Sequence, residues 1–260
     1  MSAPINAPVS DYSQWQPQEY LHEYYGEVQP DERFAMEFLV EAVARLEPVA
    51  VALEFGCGPT VHHALGMATV AGEIHMADYL ESNRAEVEKW LHREEGAFDW
   101  SHFGRETLEL EGNASPSDEQ VQERDELLRS KITKVLACDA FSAQPLGENE
   151  NKEGFYPLVA SHYCAEACTT DKEEWRACMK NIASLVAPGG TLILSSCGEA
   201  AAYAVGERYF PCAGVGVVDV LVCLREIGFT DIDVRLRQVP SQSEQGFSNV
   251  VFASAVKGRR

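Results

Sequence analysis

Leu53-Glu54-Phe55-Gly56-Cys57-Gly58-Pro59-Thr60 follows directly after the apolar run Val49–Ala52, which is typical of a buried β-strand. A strand that ends in an acidic residue before Gly-x-Gly predicts a sharp turn where a ligand lies against bare main chain. Nucleotide-like cofactors bind at this position in doubly wound α/β sheets. A dinucleotide motif would carry a third glycine where this chain has Val61. Sites for S-adenosylmethionine (SAM), in contrast, typically have an acidic residue two places before the first glycine.

The length and composition of the chain indicate a globular protein. With 260 residues, of which 45% are apolar, we expect one domain over 1–260, with an N-terminal lid or extension over 1–45 and an acidic insertion over 97–131. The formal charge of −20 disfavours nucleic acid as a partner and favours cationic small molecules. No apolar run is long enough to span a bilayer, and Met1–Pro4 does not begin a signal peptide. We therefore expect a soluble, cytoplasmic monomer without a membrane partner.

The eight cysteines do not form a recognisable metal or disulfide pattern. They contain no Cys-x-x-Cys pair, and several fall within apolar runs, as small buried hydrophobic residues do. We interpret them as buried thiols and expect no metal site.

Strand-like and helix-like patterns alternate along the chain, which predicts a mostly parallel sheet with helices on both faces. The predicted strands are 49–55, 73–78, 132–138, 158–161, 191–195, 232–236 and 250–256. The predicted helices are 61–71, a segment through 86–91, 118–129, 171–186 and 217–227. The last two strands are consecutive, so we expect an antiparallel C-terminal hairpin at the edge of the sheet. The fold class is thus α/β and Rossmann-like, with a seven-stranded sheet.

Two acidic residues end predicted strands at the same edge of the sheet. Asp78 follows the Gly-x-Gly turn by about 20 residues, and its carboxylate suits the ribose hydroxyls of NAD or SAM, or else a helix cap. Asp139 ends the third strand, where it suits an adenine amino group flanked by Cys138 and Ala140, or else caps the next segment. A Pro-Gly-Gly turn within Leu185–Leu192 then leads directly into a buried strand. The combination favours a SAM-dependent methyltransferase.

Several further stretches form a specific set. They are Pro17-Gln18-Glu19-Tyr20-Leu21-x-x-Tyr24-Tyr25, Asp78-Tyr79 with Asn83, Glu88-Lys89-Trp90-Leu91, Gly96-Ala97-Phe98-Asp99-Trp100-Ser101, Leu110-Glu111-Gly112-Asn113, Gln144-Pro145-Leu146-Gly147, Ser161-x-x-Cys164-x-Glu166-Ala167 and Tyr203-x-x-Gly206-Glu207. With them, from about Asp11 to Lys257, the chain resembles the small-molecule N-methyltransferases that include the nicotinamide, phenylethanolamine and indolethylamine enzymes. The resemblance implies a class I SAM-dependent methyltransferase fold with an N-terminal helical lid. It also implies SAM as cofactor, S-adenosylhomocysteine as product, and no metal.

The resemblance implies a site for two ligands. The residues that it assigns to SAM are Tyr25, Glu54, Gly56, Gly58, Thr60, Asp78, Tyr79, Asn83, Asp139, Ala140, Ser161 and His162. Those that it assigns to the amine acceptor are Tyr20, Tyr24, Glu166, Ser196, Glu199 and Tyr203, with Tyr20, Glu166 and Glu199 as catalytic candidates. His62 departs from the family, which often has a tyrosine there, and His162 replaces a small or hydroxyl residue. Glu244 or Gln245 is expected near the acceptor.

The chemistry of methyl transfer defines what the acceptor residues must do. An enzyme has to hold a neutral nitrogen lone pair behind the methyl carbon of the sulfonium, in a dry site. An alkylamine is protonated near neutral pH, so Glu166 or Glu199 is predicted to bind the cation and accept its proton directly or through water. Ser196 and Ala200 replace an aspartate and a serine of the nicotinamide branch. This favours a small basic amine, and more specifically a guanidine-bearing one such as a guanitoxin-type alkaloid intermediate.

Three other functions are alternatives. One is a nicotinamide or pyridine N-methyltransferase. Another is an NAD-dependent oxidoreductase, against which the missing third glycine argues. The last is a catalytically silent SAM-binding protein, against which the intact Glu54, Gly56, Gly58, Asp78 and Asp139 argue.

Overall fold

A central β-sheet organises the protein, whose computed structural model describes residues 11–150, 152–240 and 245–259. The strands are β1 (Val49–Phe55), β2 (Ala71–Asp78), β3 (Ile132–Ala137), β4 (Tyr156–His162), β5 (Val186–Gly198), β6 (Ala202–Val205), β7 (Arg208–Pro211), β8 (Phe229–Gln238) and β9 (Asn249–Lys257). Seven of them form one sheet in the order β3-β2-β1-β4-β5-β9-β8, and β6 and β7 form a separate hairpin.

The direction of the strands agrees with the sequence prediction. The pairs from β3 to β5 are parallel, and β9 is antiparallel to both β5 and β8. The α/β class with a mostly parallel seven-stranded sheet and an antiparallel C-terminal hairpin is therefore confirmed. The strand order reverses between β1 and β4, and at such a switch point the carboxyl ends of the strands leave a crevice for a ligand.

Helices surround the sheet. They are α1 (Pro17–Tyr25), α2 (Pro30–Val43), α3 (His62–Met67), α4 (Glu81–His92), α5 (Ser101–Leu110), α6 (Asp118–Lys131), α7 (Gly147–Glu150), α8 (Lys172–Ser184) and α9 (Val217–Glu226). Two short 3₁₀ turns span Tyr12–Gln14 and Glu166–Cys168. None of the helices in the described ranges is both long and apolar enough to cross a membrane.

The two faces of the sheet are covered by separate apolar cores. One core contains Leu39 of α2, Leu65 of α3 and Leu128 of α6, and the other contains Trp175 of α8 and Leu224 of α9. These five side chains are at most 1% exposed. Helices on both faces bury most of the central strands β1 and β4, which explains why their sequences are continuous apolar runs rather than alternating ones.

The structure differs from the sequence prediction in the bounds of some elements and in elements that were not predicted. The helix predicted over 61–71 ends at Met67, because the chain turns there and the Val49 N–H donates to the Val70 carbonyl (2.9 Å) to begin the β1–β2 pairing. The hairpin of β6 and β7 and the helices α2, α5 and α7 were not predicted. The acidic segment 97–131 also contributes to the core, since Trp100 and Phe103 are at most 1% exposed.

Candidate functional site

A cavity of about 680 Å³ lies at the carboxyl ends of β1, β2, β3 and β4. We call it the outer cavity, and its volume is in the range of pockets that hold cofactors. The predicted site residues that line it are Tyr20, Tyr25, Glu54, Gly56, Gly58, Thr60, Asp78, Tyr79, Asn83, Asp139, Ala140, His162 and Tyr203. The turn after β1 thus faces the crevice that the strand order creates.

The main chain of the turn after β1 is exposed to the outer cavity without side chains at Gly56 and Gly58. Gly56 and Gly58 have φ angles of +73° and +62°, which other residues rarely adopt. The N–H groups of Gly56 and Cys57 both donate to the Ala77 carbonyl of β2, at 2.8 and 2.9 Å. A Cβ at Gly56 would overlap Cys164 Sγ and lie 2.6 Å from Cys164 Cβ. The turn therefore has no room for a side chain at Gly56.

Replacing Gly56 with alanine is expected to destabilise the protein by about 2 kcal/mol or more, because backbone strain and overlap with Cys164 add together. Urea denaturation of the wild type and variant measures the difference in the free energy of unfolding. Gly96→Ala is the matched control, since Gly96 has a φ of +81° but nothing within 4 Å of its added Cβ. An equal loss in both variants would show that strain alone matters and that the contact with Cys164 does not.

The carboxylate of Asp78 joins the end of β2 to the glycine turn. Its Oδ2 accepts from the Gly58 N–H (2.8 Å), and its Oδ1 accepts from the Leu80 N–H and from Asn83 Nδ2 (2.9 Å each). Burial raises the pKa of Asp78, while these hydrogen bonds lower it again in part. A carboxylate has about four acceptor sites, so one remains for a ligand hydroxyl beside the three in use.

The other predicted cofactor residues form the floor and rim of the outer cavity. Asp139 follows β3, and its Oδ1 accepts from the Phe141 N–H at 2.9 Å, with Ala140 buried between them. Tyr79 is 66% exposed and stands at the rim. The Thr60 hydroxyl donates to the Cys57 carbonyl at 2.8 Å and closes the turn after β1.

Residues 11–25, which we call the lid segment, cover the outer cavity. Trp15 Nε1 donates to Asn83 Oδ1 (2.8 Å), and the Tyr12 hydroxyl donates to the Ala167 carbonyl (2.8 Å). The Tyr20 and Tyr25 hydroxyls lie 3.0 Å apart. Tyr12 and Trp15 were missed from the sequence, and their only signal was the density of aromatic residues before Pro17.

A second, inner cavity of about 30 Å³ adjoins the outer one. Tyr20, Tyr163, Ala167 and Tyr203 line both cavities and so form the wall between them. The other residues that line the inner cavity are Tyr24, Asp31, Glu32, Glu166, Cys197, Cys212 and Phe247. Three carboxylates and four tyrosines thus surround a space of about one water molecule.

Glu166 is the predicted catalytic carboxylate that the structure brings to this wall. It is 1% exposed, and its Oε1 accepts from the Cys197 N–H at 2.8 Å. Its Oε2 is buried without a hydrogen-bond partner among the described residues. Burial raises the pKa of Glu166 to about 7, against the lowering effect of the bond from Cys197 and of the nearby Ser196. The carboxyl group is thus able to exchange a proton near neutral pH.

Asp31, Glu32 and Tyr163 were missed by sequence reasoning. Asp31 and Glu32 begin α2 and are each 2% exposed, although a helix start normally leaves such residues in solvent. Tyr163 follows β4 with a φ of +50°, a strained conformation for a residue with a side chain, and its hydroxyl donates to the Asp31 carbonyl (3.4 Å). No local pattern distinguishes these residues, because their partners lie far away in the chain.

Five predicted site residues do not line the outer cavity, namely Glu166, which lines the inner one, and Glu199, Ser161, Ser196 and Tyr24. Glu199 is exposed and lines neither cavity, because a left-handed turn (φ +56°) directs its side chain towards Gly216. Ser161 is buried within β4, and Ser196 adjoins Glu166 without lining either space. Tyr24 reaches only the inner cavity, and its hydroxyl donates to the Ala204 carbonyl (2.6 Å).

Of the two residues expected near the acceptor at the last hairpin, the structure describes only Gln245. Gln245 lines neither cavity, and Glu244 lies outside the described residues. The segment contributes Phe247 to the inner cavity instead.

Comparison with known sequences gives consistent results. Residues 5–258 match the model of the NNMT/PNMT/TEMT family. Nicotinamide N-methyltransferase of Sus scrofa is 33% identical over 230 residues, which cover 84% of this chain and 83% of that protein. Phenylethanolamine N-methyltransferase of Homo sapiens is 30% identical over 258 residues, which cover 96% and 90%.

Comparison with solved structures shows the same fold. The N-methyltransferase NodS of Bradyrhizobium japonicum in complex with S-adenosylhomocysteine has a TM-score of 0.54 at 15% identity, covering 90% of this chain and 91% of NodS. The 1,6-didemethyltoxoflavin-N1-methyltransferase of Burkholderia thailandensis has a TM-score of 0.54 at 16% identity, covering 99% and 95%. At this identity the likeness concerns the fold alone.

Proposed function

The chain belongs to the NNMT/PNMT/TEMT family and is a SAM-dependent N-methyltransferase, and we propose that its acceptor is a small basic amine, preferably one that bears a guanidine. The observation that carries the proposal is the inner cavity, where Asp31, Glu32 and Glu166 meet beside the outer cavity. Oε2 of Glu166 is buried in this acidic space without a hydrogen-bond partner among the described residues, so a cationic group is the ligand that the space favours.

The residues of the outer cavity fit SAM. The bare backbone at Gly56 and the remaining acceptor site of Asp78 suit a ligand with a flat face and ribose hydroxyls. In this seating, Asp139 and Ala140 receive the adenine, and Glu54 lies near the methionine part. SAM supplies an electrophilic methyl group. The lid segment would then exclude water, and the shared wall at Tyr20, where the acceptor nitrogen would lie, would hold the two ligands in line.

Glu166 has two tasks in this proposal. Its carboxylate first binds the ammonium form of the amine, which raises the pKa of the amine and so cannot itself make the nitrogen nucleophilic. It then accepts the proton, directly or through one water, which leaves the lone pair free to attack. One proton is released for each methyl group transferred. A carboxyl group with a pKa of about 7 can accept this proton and later return it to solvent.

The size of the inner cavity limits how the acceptor is placed. A space of about 30 Å³ holds a charged head group but not a whole acceptor. The rest of the acceptor must therefore extend through the wall of Tyr20, Tyr163 and Tyr203 into the outer cavity. An acceptor with a second cation, separated from the methylated nitrogen by a short chain, would be long enough to extend from the inner cavity through this wall. The nicotinamide ring is uncharged before the transfer, so the negative charge of this space does not help to bind it as a substrate.

A matched pair of acceptors tests the proposal. Agmatine carries a primary amine and a guanidinium, and N-carbamoylputrescine has the same amine with a neutral urea. We expect kcat/KM to be at least about tenfold higher for agmatine, because the neutral urea brings no second positive charge to the acidic inner cavity. Labelled SAM and mass spectrometry measure both, with nicotinamide as the uncharged acceptor. Equal rates for the pair, or faster methylation of nicotinamide, would contradict the preference for a cation, whereas SAM binding without any turnover would contradict the enzyme.

A further inference from the structure

Five ionisable side chains form a buried cluster between the two cavities. They are Glu32, Glu54, His62, His63 and His162, each at most 5% exposed. His62 Nε2 and His63 Nε2 lie 3.0 and 3.2 Å from Glu32 Oε2. The His63 ring also stacks on His162, with 3.7 Å between the ring centroids. His63 and His162 line the outer cavity proposed for SAM, whereas His62 lines neither cavity and has no task in the methyl-transfer reaction.

Several polar atoms of this cluster lack hydrogen bonds. His62 Nδ1, His63 Nε2, His162 Nε2 and Glu54 Oε2 are buried without a hydrogen-bond partner in the part of the chain that the structure describes. Buried polar atoms are normally satisfied, and a group of unsatisfied ones indicates a missing water or ion. His63 Nε2 is the most informative of them, because it approaches Glu32 Oε2 closely without aligning for a hydrogen bond.

An ion beside His63 Nε2 would explain why this nitrogen is close to Glu32 Oε2 but not aligned with it. In a hydrogen bond the N–H points at the oxygen, whereas in a metal site nitrogen and oxygen both point at the ion. Zn²⁺ binds histidine nitrogen and carboxylate oxygen at about 2.0–2.2 Å, so the ligand atoms of a tetrahedral site lie about 3.3 Å apart. The 3.2 Å between His63 Nε2 and Glu32 Oε2 is close to this value, and the ligand atoms of Glu32, His62 and His63 all lie within 4.8 Å of one another. His62 Nε2 is hydrogen-bonded to Glu32 Oε2 at 3.0 Å and would exchange this bond for the ion.

We propose that Glu32, His62 and His63 bind a divalent transition-metal ion, with Zn²⁺ as the best fit to two imidazoles and one carboxylate. The three side chains supply three ligands, and a zinc ion then takes its fourth ligand from water or a bound molecule. Mg²⁺ and Ca²⁺ are disfavoured, because both prefer oxygen ligands in larger number.

Neighbouring side chains would hold these ligands in place. The Tyr25 hydroxyl donates to Glu32 Oε1 at 3.2 Å, which leaves Oε2 for the ion. The Trp100 ring stacks on His62 with 5.3 Å between centroids and an angle of 11°. Such outer contacts orient metal ligands and raise the affinity of a site. The sequence resemblance places a tyrosine where this chain has His62, so the ion would be a property of this chain and not of its family.

Metal binding by the full chain, without any histidine tag, tests the site. After dialysis against a chelator, isothermal titration with Zn²⁺ is expected to show one ion per chain, and Co²⁺ should give the visible absorption of a tetrahedral complex. Zn²⁺ should also raise Tm by several degrees, because it binds the folded state. These measurements use neither SAM nor amine, so their result does not depend on whether the proposed methyltransferase reaction is correct.

Variants locate the ion. His62→Gln and His63→Gln are expected to lower the affinity for Zn²⁺ at least 100-fold, with circular dichroism used to confirm that they fold. His75→Gln is the matched control, since His75 is also buried but contacts the Tyr156 hydroxyl (2.9 Å) on another part of the sheet. Absence of stoichiometric binding by the wild type would overturn the proposal. So would a loss of affinity in His162→Gln but not in His62→Gln, which would place the ion beside Glu54 instead.

Discussion

Replacing Glu166 with glutamine is expected to lower kcat/KM for the amine by about 10² to 10⁴, while the Kd of SAM changes by less than about threefold. Glutamine can still accept the hydrogen bond from the Cys197 N–H, so the fold around residue 166 is retained. What it loses is the negative charge and the capacity to accept a proton. Steady-state kinetics and isothermal titration with SAM separate the two effects.

The pH profile gives a second measure of Glu166. Burial raises its pKa to about 7, so the carboxylate that accepts the proton forms only as the pH rises through that value. kcat/KM of the wild type is therefore expected to rise with an apparent pKa near 7, and this step should be absent from the remaining activity of Glu166→Gln. The folded state holds this proton more tightly than the unfolded state does. Stability is thus lost as the pH rises from about 4.5 to 7, and the glutamine variant should lose less of it.

Glu199 provides the matched control. Both residues are carboxylates that follow a strand of the sheet, Glu166 after β4 and Glu199 after β5. Glu199, however, is exposed and lines neither cavity. Glu199→Gln is expected to keep kcat/KM within about twofold of the wild type. Comparable losses in both variants would contradict a specific role for Glu166 and would restore Glu199 as a candidate.

Replacing Asp78 with alanine is expected to raise the Kd of SAM at least 100-fold, equivalent to about 2.7 kcal/mol. The variant loses the acceptor site proposed for the ribose. It also loses the bonds that hold Gly58 and Asn83 in place, and Asn83 in turn accepts from Trp15 of the lid segment. Isothermal titration with SAM and with S-adenosylhomocysteine measures the effect.

A second aspartate serves as the control for Asp78. Asp219 also accepts from a backbone N–H, that of Gly216 at 3.0 Å, but lies at the start of α9 away from both cavities. Asp219→Ala removes a comparable anchor and should leave the Kd of SAM unchanged. If Asp78→Ala binds SAM as tightly as Asp219→Ala does, the ribose assignment is wrong.

The sequence was most informative where short-range pattern decides the structure. The apolar run before Gly56 and the acids at Asp78 and Asp139 follow from the rule that buried parallel strands end at one edge of the sheet. The hairpin of β6 and β7 escaped prediction because its strands are four residues each and no longer than many loops. The exposed position of Glu199 could not be foreseen, because it depends on one left-handed residue that changes the direction of a side chain, which no composition rule anticipates.

Long-range contacts account for the rest of the site that sequence reasoning missed. Glu32 is an ordinary acidic residue in the first turn of a helix, and only the folded chain brings it to His62, 30 positions away. The same holds for Asp31 and Tyr163, which are 132 positions apart. A pattern within a window of a few residues contains no trace of such pairs, so the inner cavity could not be recognised before the fold.

The hydrogen bond from Trp15 to Asn83 gives the lid segment an optical property. Trp15 is only 8% exposed, and its indole lies over the outer cavity. Trp90, Trp100 and Trp175 are buried in the two cores, where they contribute a constant background of emission. Opening of the lid segment would transfer the Trp15 indole from an apolar environment into water. Trp15 is therefore an intrinsic fluorophore. Stopped-flow fluorescence can use it, without labelling, to follow any opening and closing of the lid segment.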